Sequence, residues 1–284
     1  MDWLVDPLRY PFMQQALVIG LLIAVPAAVL SCLLVLRGWS LMGDAVSHAV
    51  LPGIVIAYLV GIPMLIGAFV SGMLCAVATG YLTQHSRLKE DTVMGVVFSG
   101  MFALGIVLFT YVDTNLHLDH VLFGNILGVT WMDVMQTGVI TLCVLVVFMI
   151  KRRDILVFAF DPQHAGVIGI NTTLMQYGLL AMLSLVIVAS IKAVGIILVI
   201  AVLIAPGAIS FLLTDQFERM LLVAIAISIV CATFGILGSY YIDSAPAPTI
   251  VVLLTLAFIA AFLLAPKRGI LRNKPHTNNH QSDA

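Results

Sequence analysis

Long apolar runs separated by short polar interruptions organise this chain. The runs occupy residues 14–36, 41–60, 64–82, 92–111, 131–150, 174–191, 193–213, 219–240 and 249–265. About 20 apolar residues suffice for a helix to cross a bilayer. The pattern therefore predicts an all-α fold, a polytopic transmembrane helical bundle of eight or nine spans. The count falls to eight if the first or second run is re-entrant. Residues 174–213 are apolar for too long to be one crossing, and Lys192, the single charge among them, marks the division. The polar stretch 151–173 is the only sizeable interruption. Within it Asp161 is an N-cap, Pro162 takes the first helical position and Gly169 supplies a stop, so a surface helix of about two turns is expected. Residues 1–13 form an interfacial lead with Trp3, Tyr10 and Phe12, residues 14–268 form the bundle, and 269–284 are a polar tail too poor in apolar residues to order.

Composition turns this pattern into a membrane assignment. Of 284 residues, 62% are hydrophobic and 10% charged, against about 25% charged in soluble domains. The net charge of −1 offers nothing to nucleic acid. The start, Met1-Asp2-Trp3-Leu4-Val5-Asp6, lacks the basic region of a cleavable signal peptide, so the first span is expected to stay. Cys32, Cys75, Cys143 and Cys231 each stand alone in an apolar run, which fits buried thiols rather than a disulfide framework or a thiolate metal site. Basic residues set orientation. Arg37, the His85–Lys89 loop, Lys151–Arg153, Arg219 and the Lys267–Lys274 stretch fall on one side if every run crosses. That side is the cytoplasm. The surface helix then faces the cytoplasm, and the loop 112–130 faces out.

One stretch carries chemistry inside the oil. Asp44 and His48 are four residues apart, which puts a carboxylate and an imidazole on one helical face. An ionised Asp in mid-bilayer costs about 2.5–3.5 kcal/mol on insertion scales, so it needs a partner, a wet cavity or a task. Oxygen and nitrogen ligands of this kind suit divalent manganese, iron or zinc. The competing reading is a structural pair that pins neighbouring helices. Two ligands complete no first-row site. The rest must come from water, a neighbouring helix or a second chain. Pro52-Gly53 follows and weakens the helix there. A weak echo, Val50-Leu51-Pro52-Gly53 against Ile204-Ala205-Pro206-Gly207, puts one such interruption in each half. Paired interruptions point to a transport site. They would also supply bendable points.

Other polar groups are weaker candidates. Glu90 and Asp91 suit a helix start, and alternatively contact a metal leaving toward the cytoplasm. His117, Asp119 and His120 could share a cation or dock an external partner, since Leu122-Phe123-Gly124-Asn125 follows. His164 reads as a contact residue, and Lys192 as a snorkelling cation at the outer boundary. No P-loop, nucleophile elbow or HExxH occurs. The chain is therefore not expected to be an enzyme, and ATP chemistry must reside elsewhere.

The run from Arg37-Gly38-Trp39-Ser40 through Gly43-Asp44-Ala45-Val46-Ser47-His48 to Pro52-Gly53 resembles the signature of membrane subunits from metal-uptake ABC transporters, the manganese, zinc and iron family (ABC-3). Arg87 to Thr92, Leu122 to Gly128, Asp161 to Asn171, and Val194 through Pro206-Gly207 resemble further blocks in order, so the likeness covers residues 5–270. It implies a permease in the bacterial cytoplasmic (inner) membrane that pairs with a second permease chain, identical or not. A cytoplasmic ATP-binding subunit and an extracytoplasmic metal-binding protein would be its other partners, with lipid around it. Asp44 and His48 match the family's metal pathway. The segment Asp161, Pro162, Gln163, His164, Gly166 and Gly169 matches the coupling helix that docks on the ATPase. No cofactor is held permanently, and manganese, iron or zinc is the transported substrate, the first block being closest to the manganese/iron branch. The implied mechanism is alternating access driven by ATP. Its rivals are an ATPase-independent secondary transporter or channel, a membrane enzyme, and a permease for metal chelates.

Overall fold

A computed structural model describes residues 6–111 and 124–265. A 3₁₀ turn, Pro7–Arg9, leads into α1, Pro11–Arg37. Pro11 sits in the first turn, where its missing N–H costs nothing. Small residues at Ala16, Gly20, Ala24, Ala27 and Ala28 bury on α1 and let its neighbours approach. Gly20 admits the Ile236 side chain. Gly38 then ends the helix at φ +75°, and Trp39 N–H closes back on the Leu34 carbonyl.

The second run is one crossing built from two pieces, α2 (Met42–Ala49) and α3 (Leu51–Val60). Pro52 has no N–H to offer the His48 carbonyl four residues back, which accounts for the interruption at Val50. After Gly61 (φ +75°) come α4, Met64–His85, and α5, Glu90–Tyr111. α5 packs on α2, α3 and α4.

The chain resumes with a 3₁₀ turn, Ile126–Gly128, capped by the Asn125 side chain. Thr130 and Asp133 form a reciprocal capping box that opens α6, Trp131–Phe160. The expected end at residue 150 is corrected here. α6 runs through the basic cluster to Phe160, because a helix needs apolar residues only where lipid surrounds it. Beyond Lys151 it still buries Ile155, Phe158 and Ala159, at helical spacing, on the protein.

Next comes α7, Pro162–Val167. The expected cap is present: Asp161 Oδ1 accepts the N–H groups of Gln163 and His164, each at 3.0 Å. Gly169 at φ +87° terminates it. α8 then spans Thr172–Leu213 with a break in helical geometry at Gly195 (φ +72°, ψ 170°), and it makes two membrane-length spans, Thr172–Ile191 and Ala193–Leu213, that divide at Lys192 as expected. Gly124 seats its backbone directly on residues 193–195, leaving no room for side chains at that turn. The two halves of α8 run antiparallel. Gln176 and Ser184 lie beside Gly80 and Gly72 of α4, whereas Ile204 and Gly207 meet Ser31 of α1.

α9 (Phe217–Ile242) and α10 (Pro246–Leu264) complete the chain. Among the described residues, nine helical segments are long and apolar enough to span a membrane. α1 is central, packed on α6, α8 and α9, with α10 outside on α8 and α9. The ends of α1 and α6 and the start of α9 meet at one end of the bundle. Arg152 pairs there with Glu218, and Arg37 with the Phe158 ring.

Candidate metal site

α2 is amphipathic in an unusual place. Gly43 lies against Leu203 of α8, and Val46 and Val50 lie against Gly72 of α4. That buried face turns Asp44 and His48 the other way, toward α5. His48 Nε2 stands 3.3 Å from Asp44 Oδ1, with the two side chains 26% and 32% exposed. The imidazole meets Phe98 at 6.1 Å between ring centres and Phe102, edge-on, at 5.0 Å. His48 Nδ1 is buried without a hydrogen-bond partner among the described residues. The pair is therefore level with the middle of α5, walled by rings on one side and open on the other.

The local polar groups are otherwise spent. Ser47 Oγ donates to the Gly43 carbonyl (2.6 Å), and Ser71 Oγ of α4 donates to the Ala49 carbonyl (2.6 Å). Among the described residues no group of three or more His, Cys, Asp or Glu side chains stands together as a metal cage. The described residues thus bring together one carboxylate oxygen and one imidazole nitrogen at this point.

The other sequence candidates lie elsewhere. Glu90 and Asp91 open α5, eight and seven residues from Phe98. At 1.5 Å per residue, that is about 12 Å along the axis from the level of His48. The exposed Asp91 carboxylate accepts the Thr92 N–H at 3.0 Å. His117, Asp119 and His120 lie outside the described residues. Pro52-Gly53 sits one turn past His48, with Gly53 pressed on Gly67 of α4. Pro206-Gly207 is far from the pair in sequence and is held to α1: Ser31 Oγ accepts the Gly207 N–H (2.8 Å) and donates to the Ile204 carbonyl (3.1 Å). On α7, Gln163, His164 and Gly166 are exposed, and so are Val167 and Ile168 at 86% and 52%.

Phe98, Phe102, Ser31 and Gly67 were not legible as site neighbours. Nothing in their local sequence distinguishes them from ordinary span residues. A cavity of about 670 Å³ between the start of α4 and α6 is lined by Met64, Leu65, Ile66, Met135, Val139 and Ile140 among others. It contains neither Asp44 nor His48. Chemistry, not size, picks out the site.

Known proteins share this architecture. The model of the ABC 3 transport family matches residues 9–265. The chain is 55% identical to the chelated iron transport system membrane protein YfeD of Yersinia pestis, over 91% of this chain and 87% of that one. It is 48% identical to the manganese transport system membrane protein MntB of Synechocystis sp., over 95% and 88%. Among solved structures it is similar to PsaBC from Streptococcus pneumoniae in complex with Fab, with a TM-score of 0.85, 33% identity, and 93% and 96% of the two chains covered.

Proposed function

The chain belongs to the ABC 3 transport family, and on that premise we propose that it is the permease subunit of an ATP-driven importer for manganese or iron. It is a multi-pass protein of the bacterial inner membrane, a transporter component rather than a catalytic enzyme. The observation that carries the metal reading is the Asp44–His48 contact at 3.3 Å in the first turns of the second crossing, level with Phe98 and Phe102 of α5. A carboxylate oxygen and an imidazole nitrogen are the donors that divalent manganese and iron accept. The relatives named for manganese and for chelated iron support the same substrate class.

One chain supplies two donors. A second permease chain with its own pair facing the first would supply four, and water the remainder. Such a site is loose, and looseness serves transport: the ion must be held long enough to enter and released without a trap. The Phe98 and Phe102 rings shield one side of the imidazole, which fixes the direction from which an ion reaches it. Energy enters through a separate cytoplasmic ATPase. α7 suits its docking, because a capped six-residue helix exposes Val167 and Ile168 to a partner. An extracytoplasmic binding protein delivers the ion at the opposite face.

The test is uptake by the complex of permease, ATPase and binding protein in proteoliposomes, with manganese, iron and zinc supplied separately. ATP-dependent accumulation of manganese or iron is expected. Accumulation without the ATPase would overturn the reading in favour of a secondary transporter.

A further inference from the structure

Arg37 and Trp39, at the end of α1, meet Phe158, near the end of α6, at one point. The Arg37 guanidinium carbon lies 5.1 Å from the centre of the Trp39 ring and 4.7 Å from that of Phe158. The two rings contact each other edge-on at 6.5 Å. Both are buried, Trp39 at 4% and Phe158 at 1% exposure. A half-buried cation over two buried rings is an attractive arrangement.

What each ring is attached to gives the cluster its interest. The Trp39 carbonyl accepts the Met42 N–H at 3.0 Å and so opens α2, with Asp44 five residues from the ring. Phe158 lies in the last turn of α6. One residue before it, the Val157 carbonyl accepts the Asp161 N–H at 2.9 Å, and Asp161 caps α7. Ala165 of α7 is fully buried, so the short helix is seated rather than loose. The described contacts offer two other routes away from α7, and both are indirect. α7 touches the start of α8, whose first half meets Gly72 of α4 through Ser184, beside Val46 and Val50, and whose Leu203, beyond Gly195, lies against Gly43 of α2. The Arg152–Glu218 ion pair leads from α6 to α9, not to α2.

We propose that Phe158 and Trp39, bridged by Arg37, form the contact through which a displacement of α7 reaches α2 and repositions Asp44 and His48. The proposal rests on reading the chain as an ATP-driven permease. Close-packed interiors pass displacement on rather than absorb it, and stiff rings with two rotatable bonds leave little slack. Trp39 and Phe158 are positioning residues here. They touch no ion and act through the segments they join.

The experiment measures ATP hydrolysis and metal uptake in parallel on the full complex in proteoliposomes. Phe158→Ala and Phe158→Leu remove the ring, the second while keeping most of the volume. Expected is an assembled complex that still hydrolyses ATP while uptake per ATP falls about tenfold. Phe158→Tyr and Trp39→Phe, which keep the rings, should hold the ratio near that of the unaltered complex. Unchanged uptake per ATP in Phe158→Leu overturns the proposal, and so does a proportional loss of both activities, which marks a merely structural residue. Should the unaltered complex hydrolyse ATP and accumulate no metal, the permease reading itself fails, and that result comes before any variant is compared.

Discussion

Gly53 and Gly67 stand backbone to backbone where α3 crosses α4, each occupying the space a side chain on the other would need. Small residues are what allow membrane helices to approach this closely. The crossing fixes α3 one turn beyond His48.

Adding a methyl group at that crossing should force the helices apart. Gly53→Ala and Gly67→Ala are expected to destabilise by about 1–3 kcal/mol, the usual cost of overpacking. Gly100 of α5 has nothing within reach of an added methyl. Gly100→Ala should be neutral or better, since Ala favours helix over Gly by about 1 kcal/mol. Thermal unfolding in detergent separates the three variants.

Asp44→Asn keeps shape and removes the charged donor, while His48→Ala removes the nitrogen. Both should lower metal uptake by about tenfold or more, since even residues that only support a ligand cost 10–100-fold. Assembly with the ATPase and basal ATP hydrolysis should persist. Metal accumulation by reconstituted variants checks this, and normal uptake by both would remove the pair from the pathway.

Ser31 and Ser184 are both fully buried and should behave oppositely. Ser31 Oγ satisfies the Gly207 N–H and the Ile204 carbonyl, groups beside Pro206. Ser31→Ala removes both hydrogen bonds and should cost about 1–3 kcal/mol. Ser184 Oγ has no hydrogen-bond partner among the described residues. Ser184→Ala removes an unsatisfied hydroxyl and should leave stability unchanged or raised. A pair of denaturation midpoints decides it.

Asp161→Ala should loosen α7. The carboxylate caps two N–H groups of a six-residue helix, and such a cap is worth about 1 kcal/mol. A helix this short has no stability of its own to fall back on. Retention of the ATPase on a tagged permease should drop, with the permease fold intact by circular dichroism.

Much of this fold was legible because the bilayer demands it: a run of apolar residues near 20 has few alternatives to a helix. The Asp44–His48 pair was legible from spacing alone, and so was the Asp161-Pro162 start of α7. Three features were not. α6 was expected to stop at Lys151, yet Ile155, Phe158 and Ala159 continue its buried face; charge was taken for a boundary where periodicity continued. The division of α8 at the charged Lys192 agrees with its two spans, Thr172–Ile191 and Ala193–Leu213, but the break in helical geometry at Gly195, where a positive φ is free of strain, was not marked by the charge. The cluster of Arg37, Trp39 and Phe158 depends on residues 119 positions apart finding one another, which no local pattern announces.

The reversal at Gly195 has a consequence for the whole topography. Forty-two residues without it would form one rod of about 63 Å, twice a bilayer's core. With it, those residues cross twice. One dihedral angle thus sets the parity of the crossings, and with it the face of the membrane at which α10 emerges. Hydrophobic length demands two crossings there, and the glycine supplies the bend that lets the chain make them.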